Sequence, residues 1–141
     1  MIKTSKKKIL VLSIVILVVG ASVVLFTADS ANPLRRSTDE IREDILELTP
    51  IGMSMDEVIK VMESNKEWDI YYVNERSGYV MNADRPGEPS PSDIEEGRVI
   101  GVKSARALIG TYQNIPHMAY VSVFWAFDED SKLIDIAVRK G

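Results

Sequence analysis

Ile9 to Ala28 contains no charged residue, and no other feature limits the possible folds so sharply. A run of about 20 residues without a polar face does not suit the surface of a globular domain. As a helix, at ~1.5 Å per residue, it reaches roughly 30 Å, the thickness of a bilayer's hydrocarbon core. Ile9, Val11, Ile14, Val15, Ile16, Val18, Val19, Val23 and Val24 would weaken that helix in water. In lipid the backbone groups must bond within the segment in any case. Lys3, Lys6, Lys7 and Lys8 precede the run. The positive-inside rule therefore puts residues 1–8 in the cytoplasm and the C-terminal domain outside the cell membrane, in a single-pass arrangement.

A signal peptide has the same polarity, and its apolar core usually spans ~7–15 residues before a small-x-small cleavage site. Cleavage after Ala21 would leave Val23, Val24, Leu25 and Phe26 at the new N-terminus. Cleavage after Ala28 or Ala31 would put Phe26 or Asp29 at the third position back. The expectation is an uncleaved signal anchor at 9–28, with a secreted domain after cleavage as the alternative.

The residues beyond the run can form one ordinary domain and are too few for two good cores. The net charge of −4 includes the four leading lysines, so the remainder is distinctly acidic. Such a surface is repelled by phosphate backbones, and no nucleic-acid partner is expected. The absence of cysteine rules out disulfides, thiolate catalysis and Cys-ligated zinc.

Residues 29–36, DSANPLRR, read as a linker in which Asn32-Pro33 discourages helix. Ser37 and Glu40 are spaced as a capping box, and Ile41, Ile45 and Leu48 recur on one face, predicting a helix over Thr38–Leu48. Pro50 and Gly52 end it. Ser54 and Glu57 form a second box ahead of Met55, Val58, Ile59 and Met62, predicting a helix over Met55–Ser64. The pattern then changes to period-2 alternation. Trp68–Val73, the weaker run Tyr79–Met81, the stretch Arg98–Tyr112 broken by Gly101 and Gly110, Ala119–Phe127 and Leu133–Arg139 read as strands. Residues 82–97, NADRPGEPSPSDIEEG, read as a long loop. Helices before strands indicate an α+β domain over 37–141, two helices packed on a three- to four-stranded antiparallel sheet.

The segment Gly52-Met53-Ser54-Met55-Asp56-Glu57-Val58-Ile59-Lys60-Val61-Met62 resembles a motif in the small lipoproteins of outer-membrane protein assembly. There a Gly-Met-Ser/Thr turn opens the second of two helices. The element order is similar to that of the β-lactamase inhibitory protein-like fold, and the tail VSVFWAFDEDSKLIDIAVRK resembles that of small membrane-anchored bacterial proteins. The resemblance implies a domain that grips another protein with an exposed sheet face and its loops. This chain lacks the lipidated cysteine of those lipoproteins and has Ser64-Asn65-Lys66 where their second helix ends in Gly-x-Pro, so an outer-membrane role is not carried over.

Residues suited to chemistry are scattered. His117 is the single histidine and stands beside Pro116 in a turn, with no motif to supply a partner base or metal ligands. Asp128-Glu129-Asp130 lacks the spacing and glycine of a calcium loop. No phosphate-binding glycine motif is present. No catalytic, cofactor or metal site is expected, and an enzyme is not expected. Tyr and Trp are favoured at binding hot spots. In Ala119–Phe127 the alternation sends Val121, Val123, Trp125 and Phe127 inward and Tyr120, Ser122 and Phe124 outward. With Tyr112, the last three are the candidate protein-binding residues. The expected function is a membrane-held domain that binds another envelope or extracellular protein. The competing reading is a structural subunit of an envelope complex without its own ligand.

Overall fold

The computed structural model describes residues 32–141. The chain divides into two units, Met1–Arg35 and Arg36–Gly141. Of the first, the described part is a 3₁₀ turn at Pro33–Arg35. The second contains three helices, α1 (Thr38–Leu48), α2 (Met55–Ser64) and α3 (Pro91–Glu95). Its strands are β1 (Asp69–Asn74), β2 (Tyr79–Asn82), β3 (Arg85–Gly87), β4 (Val99–Ile100), β5 (Lys103–Asn114), β6 (His117–Phe127) and β7 (Leu133–Lys140).

Both expected capping boxes form. Ser37 Oγ accepts from Glu40 N–H, and the Glu40 carboxylate accepts from Ser37 N–H at 2.9 Å. Ser54 and Glu57 repeat the exchange. Each box satisfies N-terminal donors that the helix itself leaves unpaired. At the other end of α1, buried Thr49 ties the helix to the sheet. Its hydroxyl donates to Ile45 O at 2.9 Å and accepts from Trp125 Nε1 at 3.0 Å. Trp68 packs on Trp125 with ring centroids 6.0 Å apart.

The larger sheet is antiparallel, in the order β1-β5-β6-β7. One face carries Ala105, Ala107, Val121, Val123, Trp125, Phe127, Ile136 and Val138, all buried. The helices contribute Ile41, Ile45, Met55, Val58 and Met62 to this core. The inward assignment of Val121, Val123, Trp125 and Phe127 therefore holds. Ile134, which strand alternation would put on the same face as buried Ile136, is exposed because a register irregularity opposite Ala126/Phe127 leaves it out of the pairing.

The expected fold class needs correction. There is more strand than helix, and the second face of the sheet is not open. A second sheet, in the order β3-β2-β4, lies over it. Tyr79, Phe124, Ala126 and Ala137 form a buried cluster against Ile100, with the Tyr79 and Phe124 rings 5.8 Å apart. The stretch expected to be a loop over 82–97 contains β3 and α3. Ala83 and Asp84, both at positive φ, turn β2 into β3, the backbone pattern of a tight two-residue hairpin. At Gly78 the backbone runs so close to the second sheet that a Cβ would come within 1.8 Å of Ile100 O.

The membrane and single-pass expectation is corrected as well. Among the described residues no helix is long and apolar enough to cross a membrane. The expected span at 9–28 lies outside those residues.

Candidate functional site

Among the described residues β1 is an edge strand, hydrogen-bonded to β5 alone. Its register slips between Ile70 and Tyr72, a bulge that bends the strand and turns Tyr71 outward. Ile70, Tyr71 and Val73 are all exposed. Apolar side chains on an unpaired edge are unusual, since natural edges are normally blunted by charge, proline or cover. After β1, Asn74 Oδ1 accepts from Arg76 N–H at 2.9 Å, and Ser104 Oγ donates to Ser77 O at 2.8 Å. These bonds set the β1–β2 connection as one wall of a cleft.

The opposite wall is the arm that carries β3 and α3. Ser90 caps α3, with Pro91 at the first helical position, where the missing N–H costs nothing. The Asp93 carboxylate accepts from Ser90 Oγ at 2.6 Å and Ser90 N–H at 2.8 Å. Arg98 clamps its other oxygen through Nη2 at 2.6 Å and Nε at 3.1 Å. The Ser90 side-chain and backbone bonds, followed by the Arg98 bond, lower the Asp93 pKa to about 2. A five-residue helix is too short to hold itself; here the cap and the clamp fasten it. Ile94 is left exposed at the lip.

The cleft between these walls measures about 710 Å³, and its lining includes Tyr72, Val73, Arg76, Glu88, Pro89 and Ile94. Beside it lies Arg106, the cross-strand neighbour of Tyr72. Its guanidinium carbon is 4.6 Å from the Tyr71 ring centroid and 5.1 Å from that of Phe124. Glu88 approaches its Nη1 at 3.7 Å, beyond hydrogen-bond range. Arg106 Nε is buried without a hydrogen-bond partner among the described residues. Burial pushes the Tyr72 hydroxyl pKa up, and the nearby Ser104 hydroxyl, itself donated to Ser77 O, offsets this in part. Arg139, on the same sheet face, donates to Pro86 O at 3.2 Å. Its pKa is lowered by burial and then by the charges of Arg106 and Arg85.

The four binding residues expected from sequence are not brought together. Tyr120 is half exposed, as anticipated. Ser122 and Phe124, expected outward, are buried, Phe124 because Tyr79 of the second sheet packs on its ring. Tyr112 pairs with Ala119, one residue before Tyr120, so it lies on the opposite face, where Lys140 Nζ is 5.3 Å from its ring centroid. His117 is exposed near the start of β6. Among the described residues no group of three or more His, Asp or Glu is placed to hold a metal. Sequence periodicity marks the edge residues Ile70, Tyr71 and Val73 only as part of a strand. Their further signal is the consecutive apolar run Ile70-Tyr71-Tyr72-Val73, too apolar for a strand with one dry face.

Comparison of the chain with family models, curated proteins and solved structures finds no match.

Proposed function

We propose that the Arg36–Gly141 unit is a protein-binding module that receives an extended segment of another protein along β1. The observation that carries this reading is the open edge of β1, with Ile70, Tyr71 and Val73 exposed on it. An added strand would pair with the free backbone groups of β1, while its alternate side chains would meet these residues and enter the cleft beside Pro89 and Ile94. Main-chain pairing supplies affinity in this mode, and the pockets for alternate side chains supply selectivity.

The test is site-specific photocrosslinking in intact cells, with the photoreactive residue placed at Tyr71, at Tyr120 or at Ile134. All three positions are exposed, so none should disturb the core. A partner adduct from Tyr71 that is absent from Ile134 is expected. An adduct from Tyr120 but not Tyr71 would move the binding surface to the β5–β6 hairpin and overturn the edge-strand reading.

A further inference from the structure

Among the described residues, Arg106 Nε is buried beside the cleft without an acceptor, and on its cross-strand neighbour Tyr72 the buried hydroxyl meets only the Ser104 hydroxyl, which is itself given to Ser77 O. A buried polar group left unpaired is costly, and native folds seldom tolerate one. Both groups can donate, so an acceptor brought here would satisfy them. The surroundings favour a charged one. Arg139 and Arg85 act electrostatically on the same region, and Arg76 lines the cleft. The nearest carboxylate, Glu88, is mostly exposed and stays 3.7 Å from Arg106. The guanidinium lies against both the Tyr71 and Phe124 rings, which favours a planar, pre-oriented donor at little further entropic cost.

Resting on the strand-addition reading, we infer that the segment received by β1 carries an Asp or Glu side chain, whose carboxylate accepts from Arg106 Nε and Tyr72 Oη. Charge-assisted bonds from a fixed guanidinium are roughly twice as strong as neutral ones. They would set the register of the incoming strand as well as adding affinity. Glu88 is then a stand-in that swings into solvent when the carboxylate arrives.

The experiment is selection of displayed random linear peptides on the full chain, in parallel on the Val73→Lys, Arg106→Gln, Arg106→Lys and Glu88→Gln variants. Peptides selected by the parent and lost on Val73→Lys are those that use the β1 edge. Among them Asp or Glu should dominate one fixed position by at least about fivefold over Asn and Gln. Replacing that acid with its amide should weaken binding about tenfold, as expected for the loss of one charged hydrogen-bond pair. Glu88→Gln should bind the acidic peptides more tightly, and Arg106→Lys should fall between the parent and Arg106→Gln. Edge-dependent peptides without an acidic position would overturn this inference and leave strand addition standing. The same holds if amide and acid bind equally to the parent, a result that needs no variant to fold. If no peptide depends on Val73, strand addition fails and the inference falls with it.

Discussion

Along β7 the first half of the outer backbone is taken. Leu133 O accepts from Gly52 N–H at 2.8 Å, Leu133 N–H donates to Met53 O at 2.8 Å, and Arg42 Nε donates to Ile136 O at 2.7 Å. Along β1, at the far side of the same sheet, the strand pairs with β5 alone and exposes Ile70, Tyr71 and Val73. Both are edges, and both present the same chemistry of unpaired N–H and C=O groups. The α1–α2 turn closes one of them, helped by a single arginine on α1. Around the other, the chain builds walls. Edge strands that natural proteins leave bare are candidates for pairing with another chain, and the contrast within one sheet is the ground for placing function at β1.

The contrast is challenged most severely through the cleft wall. Gly78→Ala would drive a Cβ to 1.8 Å from Ile100 O and 2.5 Å from Gly101 O. It should cost at least about 3 kcal/mol or prevent folding. Urea unfolding measures this, and a loss below about 1 kcal/mol would mean that β2 and β4 can move apart freely at this point.

Opening the closed edge should cost less. Arg42 donates to Ile136 O and, through Nη2, to Asp135 Oδ1 at 3.0 Å. Asp135 Oδ2 in turn accepts from Tyr79 Oη at 2.7 Å, which joins α1, β7 and the second sheet. Arg42 is itself more than a third exposed, so solvent screening trims the effect. Arg42→Ala should cost about 1–2 kcal/mol in thermal or urea unfolding. It should also make β7 competent to pair, detectable as a shift toward dimers in sedimentation. Unchanged stability would show that the turn alone seals this edge.

The arm beside β1 should respond to acid. Asp93 has its pKa lowered from 3.8 to about 2 in the fold, so its stabilising contribution is complete above the unfolded value near 3.8. It is lost as pH falls toward about 2. Between those limits Asp93→Asn should show a flatter loss of stability with falling pH than the parent. Parallel unfolding curves of the two chains across that window would contradict the Ser90–Asp93–Arg98 clamp.

The smallest effect on stability, and the sharpest on binding, belongs to Val73→Lys. Val73 is exposed, so the change should stay within about 0.5 kcal/mol, while a lysine there should remove the apolar contact that the edge offers an incoming strand. Loss of the Tyr71 photocrosslink with unchanged unfolding is the expected pair of results. Retention of the crosslink would place the partner off the edge.

Much of the larger layer is legible in the sequence. Ser37/Glu40 and Ser54/Glu57 mark both helix starts because capping boxes act within one turn of backbone. The alternation in β6 separates Val121, Val123, Trp125 and Phe127 from Tyr120, Ser122 and Phe124. Periodicity tells which residues share a face but not whether anything covers that face, so by periodicity alone Phe124 points outward. Its cover comes from Tyr79 and Ile100, on strands of only 4 and 2 residues, too short for a periodic signal. The Ala83-Asp84 turn lacks the Asn-Gly or Asp-Gly signature of its type. Ser90-Pro91-Ser92-Asp93 is a readable start signal for α3, hidden in a stretch whose three prolines speak for a loop.

By itself, then, the order of residues determined the two capped helices, the alternating strands and the composition of the inner face, because those depend on neighbours within a few positions. Only the tertiary structure decided that the second sheet lies over the second face, that the first half of β7 is covered, and that Tyr72 and Arg106 sit side by side. Those outcomes turn on contacts between segments far apart in the chain, where closing the loops and burying the surface must balance at once.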